Sequence, residues 1–143
     1  MSSPPSGYPR LMHTVLDAAD ARGLAEFYRQ LLGLRYRPGD EPPSAGEHDL
    51  DWLVLVDDHG TRRLAVQRVP ELPRSTWPGT DVPAQAHVDF LVDSTAELVR
   101  HRDRARALGA EVLLDRSADP DEPLYVLADP AGHPFCLLTQ PGT

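Results

Sequence analysis

One order of elements is written twice along this chain, and that repeat constrains the fold more than any other feature of its 143 residues. Each copy reads strand, helix, strand, strand, strand over roughly sixty residues. In the first copy, residues 11–17 read as a strand and Asp20 as a helix N-cap. Leu24, Phe27, Tyr28 and Leu31 then recur at helical spacing, and Gly33 stands where a helix ends. A short strand at 34–37, a Pro- and Gly-rich loop at 38–49, and strands at 52–56 and 63–69 complete it. Residues 70–83 hold prolines at 70, 73, 78 and 83, so they read as a linker without regular structure. The second copy has strands at 86–92, 111–114, 124–128 and 135–139. Its helix opens on the capping box Ser94-Thr95-Ala96-Glu97 and ends at Gly109. Such a unit has one apolar sheet face and cannot cover it alone, so two paired units, 11–69 and 84–139, make an α+β fold.

Composition narrows the function. A hydrophobic fraction of 41% supports a packed core, and a formal charge of −8 argues against nucleic acid, whose binding depends on neutralising phosphates. The basic patch from Arg100 to Arg106 reads as a solvated helix face. Every basic side chain other than histidine is arginine, which excludes Schiff-base lysine chemistry and a P-loop. The lone cysteine, Cys136, forms no intrachain disulfide and fits a reducing compartment. Residues 1–10 read as a disordered N-terminus rather than a signal peptide, and no window approaches a membrane span, so a cytoplasmic protein without a membrane partner is expected.

The repeat also pairs positions. His13 opens the first strand of one copy and His87 that of the other. Strand side chains alternate. With Val88, Phe90 and Val92 toward the helix, His87, Asp89 and Leu91 face the opposite side; His13, Val15 and Asp17 do likewise in the first copy. Aligning the last strands of the copies sets Gln67 and Cys136 in equivalent places. His13, Gln67, His87, Asp89 and Cys136 are therefore the candidate ligand contacts. Trp77, in the linker, is a candidate lid. The competing structural readings are hydrogen-bonded strand histidines, a Cys136 that fills space as a small hydrophobe, and an Asp89 paired with Arg68. Trp52 reads as core, and His48, His59 and His133 as surface residues of loops and turns.

The stretches His13 to Leu16 and Glu26 to Leu34, His87 to Asp93, and Asp129-Pro130-Ala131-Gly132-His133-Pro134-Phe135 together resemble the glyoxalase/bleomycin-resistance/dioxygenase (vicinal oxygen chelate) superfamily. The resemblance spans roughly residues 11–139 and implies a curved mixed sheet around a cup-shaped cavity, with the helices outside. It also implies a homodimer and a small-molecule partner. In metal-dependent members, four side chains hold a divalent cation: two histidines, or a histidine and a glutamine, plus two glutamates. The matching positions are His13, Gln67, His87 and Cys136, so both glutamate places are changed.

Three functions follow from this. The first, and the one preferred, is a protein without a metal cofactor that holds a small organic molecule. It acts either by sequestration or as a divergent enzyme with His87 and Asp89 as its proton-transferring groups. The second is a divalent-metal-dependent lyase, isomerase or dioxygenase with an atypical His/Gln/His/Cys site. The third is an interaction module with a filled cup. The sequence leaves open whether there is turnover.

Overall fold

The computed structural model describes residues 7–140. The expected irregular N-terminal segment falls outside these residues from 1 to 6, and 7–10 carry no strand or helix. The elements run β1 (Thr14–Ala18), α1 (Ala21–Leu32), β2 (Arg35–Tyr36), β3 (Trp52–Val56), β4 (Arg62–Arg68), β5 (Val88–Leu91), α2 (Thr95–Ala107), β6 (Glu111–Arg116), β7 (Leu124–Ala128) and β8 (Pro134–Leu138). The twofold βαβββ order stands. β1 starts later than the sequence suggests: its ladder to β4 begins at Thr14 opposite Leu64, and Leu11 lies 89% exposed.

Both helices form where capping chemistry allows. The Asp20 carboxylate accepts from the amide of Gly23 at 3.0 Å to open α1. Gly33, at φ 67°, closes α1 with its amide bonded to the Arg29 carbonyl. Ser94 Oγ accepts from the Glu97 amide at 3.2 Å, while the Glu97 carboxylate accepts from Arg100 at 2.7 Å. With Glu97 turned toward Arg100, the expected capping box is half made.

The strands form two mixed four-stranded sheets, β1-β4-β3-β2 and β5-β8-β7-β6, with the first strand of each half parallel to the last. The ladders stop between the halves. On the free edge of β1, the carbonyl of Asp17 is taken by His133 Nε2 at 2.7 Å, where a neighbouring strand would otherwise bond. A carbonyl only accepts, so this nitrogen carries the proton.

One core joins the halves. Leu24, Phe27, Tyr28 and Leu31 of α1 share it with Leu53, Leu55, Leu64 and Val66 of one sheet and with Tyr125, Leu127, Phe135 and Leu137 of the other. Phe27 and Tyr28 meet Phe135 edge-on at 5.8 and 6.0 Å. Two polar ties cross the same seam. The buried Tyr28 hydroxyl donates to Asp129 at 2.7 Å. Arg104 of α2 donates to the terminal carbonyls of α1, Gln30 at 2.8 Å and Leu31 at 3.3 Å, which lack helical partners. No helix among the described residues is long and apolar enough to cross a membrane.

Candidate functional site

Alternation leaves the odd-numbered residues of β1 and β5 on the face away from the helices. On the first sheet this face is largely closed by its own side chains: Val54, Val56 and Ala65 are buried there, with Trp52 packed against them. Trp52 therefore belongs to this second cluster rather than to the main core. Its ring lies 6.0 Å from that of His13. His13 Nδ1 is buried without a hydrogen-bond partner among the described residues. Burial, then the positive charges of Arg62 and Arg37, holds His13 below the usual histidine range, so it is neutral near pH 7.

The second sheet differs. His87 and Asp89 sit two residues apart at the start of β5, and Cys136 lies directly opposite Asp89 on β8. His87 Nε2 is 3.2 Å from Asp89 Oδ1, and donor atoms of His87, Asp89 and Cys136 all lie within 4.8 Å of one another. The two β5 side chains are each 54% exposed. Burial pushes the Cys136 thiol up to about 12, and the hydrogen bond to Asp89 and the charges of Asp89 and Glu122 act the same way. As it stands, Cys136 is a protonated thiol and a poor nucleophile. Asp89 is tied to His87 and Cys136 rather than to Arg68, whose carboxylate neighbour is Asp51.

Strand register decides which of the expected residues meet. His13 and His87 each lie seven residues before their helix caps, Asp20 and Ser94, so their seats match. Gln67 and Cys136 do not. Cys136 pairs with Asp89, five residues before its cap; the residue paired five before the first cap is Ala65, opposite Val15. Gln67 pairs with Asp17 instead. It stands about 13 Å of strand beyond the level of His13, at ~3.3 Å per residue. The first half therefore offers Ala65, fully buried, where a second donor would have to stand. The four-residue cation set His13, Gln67, His87 and Cys136 does not fit this geometry.

A cavity of about 440 Å³ opens next to the trio. Val15 and Asp17 form one wall, and Leu72, Pro73, Ser75, Val82, Pro83, Ala84, Gln85 and Ala86 of the strap, with Ala131 to Pro134, complete it. Ala86 immediately precedes His87. Pro134 shares its face of β8 with Cys136, about 7 Å away along the strand. Trp77, the expected lid, is not among the lining residues; it is half-buried on the strap, with its amide bonded to Ser75 Oγ at 3.1 Å. The strap is seated by Arg74, which donates to the Pro130 carbonyl at 2.8 Å, and by Gly132, where an added Cβ would come within 2.8 Å of Arg74 Cβ.

Sequence reasoning missed His133, read as a surface turn residue; here it lines the cavity and holds β1. It also left Asp129 as a turn residue without a role. One Asp129 oxygen accepts from the amides of Ala131 and His133 at 3.0 Å each, while the other takes Tyr28. The facing of Tyr125 is settled as well. It is buried on the helix side, and its hydroxyl accepts from Arg102 at 3.0 Å.

Structures of this shape are known. A glyoxalase/bleomycin resistance protein/dioxygenase family enzyme from Burkholderia phytofirmans PsJN superposes with a TM-score of 0.66 at 15% identity, covering 90% of this chain and 97% of the other. The genomically encoded fosfomycin resistance protein FosX from Listeria monocytogenes, complexed with Mn(II) and sulfate ion, gives 0.64 at 16% identity, covering 93% of this chain and 91% of the other. A possible glyoxalase from Bacillus cereus gives 0.62 at 19%, covering 90% and 97%. These likenesses establish the fold. No curated protein matches the sequence. The family model described as a glyoxalase-like domain matches residues 13–138, nearly all of the described residues, and the chain belongs to the glyoxalase-like domain family.

Proposed function

We propose that this chain binds a small organic molecule in the cavity beneath the strap, where Asp17 and His133 line the wall and His87 and Asp89, which follow the lining residue Ala86 along the chain, lie outside the lining as further polar groups. The observation that carries the reading is the cavity itself. Its volume of about 440 Å³ lies within the range of ligand sites, and its wall mixes apolar side chains such as Val15, Leu72 and Val82 with the polar Asp17, Ser75, Gln85 and His133. Asp17 brings a carboxylate that has no ion pair among the described residues, so a ligand with an apolar body and a hydrogen-bond-donating or cationic group suits it. His133, Ser75 and Gln85 add hydrogen-bonding side chains. If the bound molecule has a labile proton, the neighbouring His87 and Asp89, 3.2 Å apart, supply a donor and an acceptor for it. Without such a proton the same site sequesters its ligand. A homodimer belongs to the same proposal, since the open face of the second sheet leaves Leu91 67% exposed.

The test is a thermal-shift screen of small organic cations and neutral amphiphiles. Matching compounds should raise the melting temperature saturably, by about 2.7 kcal/mol of stabilisation at one hundred times Kd. Ala84→Trp, which fills the cavity from the strap, should abolish the rise. A panel that stabilises Ala84→Trp as well as the parent chain, or no stabilisation by any compound, defeats the reading.

A further inference from the structure

The cavity beneath the strap is bounded on one side by a strand edge, and that edge has bonding groups left over. The Ala18 carbonyl accepts from the Val69 amide at 3.1 Å, with Ala18 opposite Arg68 in the parallel ladder. Along a strand, the main-chain groups of successive residues turn to opposite neighbours. Thr14, Leu16 and Ala18 therefore turn theirs to β4, and Val15 and Asp17 turn theirs to the free edge. The bond from His133 Nε2 to the Asp17 carbonyl agrees with this phase. The Val15 amide and carbonyl and the Asp17 amide have no hydrogen-bond partner among the described residues, and both residues line the cavity. Resting on the reading that this cavity holds a small organic molecule, we infer that the molecule is peptide-like: it pairs with Val15 as an added strand and sets a protonated amino terminus beside the Asp17 carboxylate.

An open edge accepts an extended chain unless something blunts it. Here the edge is blunted at one end only. In an antiparallel addition, a peptide residue opposite Val15 exchanges both main-chain bonds with it. The residue two places earlier then stands opposite Asp17, about 7 Å back along the strand. Its carbonyl accepts from the Asp17 amide, but its nitrogen finds the Asp17 carbonyl already taken by His133. A nitrogen at that level needs another acceptor, and the Asp17 carboxylate is the neighbouring one. The chain therefore begins there, as an ammonium group that makes a charge-assisted bond.

Charge selects the same end. Asp17 is the sole acid among the lining residues, none of which is lysine or arginine, and the formal charge of −8 favours the approach of a cation. A peptide running parallel to β1 would bring its carboxylate to Asp17, like charge against like. Leu72, Pro73, Val82 and Pro83 of the strap supply apolar surface for small peptide side chains. A tripeptide spans both contacts, with its first residue at Asp17 and its third at Val15.

The full chain is titrated calorimetrically with Ala-Val-Ala amide, its amino-acetylated form, the form methylated on its third backbone nitrogen, and hexylamine. The free tripeptide should bind and should slow hydrogen exchange at the Val15 and Asp17 amides of the unmutated chain. Acetylation removes the charge and methylation removes the donor to Val15, so each should weaken binding roughly tenfold or more. Hexylamine keeps the charge and an apolar body without amides, and should be weaker by about the same factor. Asp17→Asn should weaken the free tripeptide about tenfold and leave the acetylated form unchanged, a selectivity that general destabilisation does not produce. Ala84→Trp should abolish tripeptide binding. Hexylamine or the acetylated form binding as tightly as the free tripeptide, an Asp17→Asn variant that binds it undiminished, or tripeptide binding that survives Ala84→Trp overturns the inference. A tripeptide left unbound while other organic compounds occupy the cavity, or left unbound because a second copy of the chain covers the β1 edge, also overturns it. In the former case the cavity reading stands, whereas binding by no compound at all defeats both.

Discussion

Replacing Tyr28 by Phe probes the seam between the two halves with a single oxygen atom. Tyr28 is 1% exposed and Asp129 fully buried. Their 2.7 Å bond satisfies Asp129 Oδ2, while Oδ1 is occupied by the turn amides. Removing the hydroxyl leaves half a buried carboxylate unsatisfied. Hydrogen bonds to charged groups are worth about 1.5–3 kcal/mol, so a loss of about 2 kcal/mol is expected at neutral pH. With an unfolding entropy of ~2.1 cal/mol/K per residue, a chain of this length loses roughly 7 °C of melting temperature. The pH dependence sharpens the test. Burial raises the Asp129 pKa, while Tyr28, His133 and the turn amides pull it back. A raised carboxyl pKa means the buried charge costs stability above that pKa and nothing below the unfolded value. Taking away Tyr28 raises the pKa further, so the deficit of Tyr28→Phe should be full at pH 7 and shrink as pH falls through the Asp129 titration. Calorimetric melts of both proteins at pH 7 and at successively lower pH follow that titration. A deficit under about 2 °C at pH 7, or one that does not shrink as the pH is lowered, would falsify the account of this bond.

Other perturbations separate the strap, the helix end and the core. Gly132→Ala should cost about 1–2 kcal/mol for a side chain at positive φ, and should also lift the strap through its clash with Arg74, so proteolysis within 72–86 should quicken and cavity ligands should weaken. Gly33→Ala, at φ 67° with open space around its Cβ, should show only the conformational part and leave ligand binding intact; equal loss of binding in both variants would separate Arg74 from the effect. Arg104→Ala should lower stability by about 1 kcal/mol and speed hydrogen exchange at the end of α1, because the Gln30 and Leu31 carbonyls lose their donor. Phe135→Ala should cost about 3–5 kcal/mol by opening a cavity where both halves meet, and a cost under about 1 kcal/mol would mean that the shared core is not where the two halves are held.

The order of elements was legible because it rests on local signals: caps at Asp20 and Ser94, the apolar stripe of α1, and prolines that exclude structure from 70–83. His13 and His87 were legible as a matched pair for the same reason, since both are counted from those caps. Gln67 was misplaced because β4 and β8 are counted from nothing local. Their positions against β1 and β5 depend on a parallel register set by distant packing, with Leu64 and Val66 in one half and Phe135 and Leu137 in the other facing the core. A shift of two residues keeps every apolar side chain on its proper face, so the hydrophobic pattern cannot detect it, whereas a shift of one would have been caught at once. The chemistry is more exposed to that blindness than the fold is. An offset of two costs the core nothing, yet it exchanges a polar Gln67 for a buried Ala65 at the place where the first half would contribute a donor. The repeat can therefore keep its architecture in both halves while, among the described residues, only the second half gathers histidine, carboxylate and thiol atoms within 4.8 Å of one another.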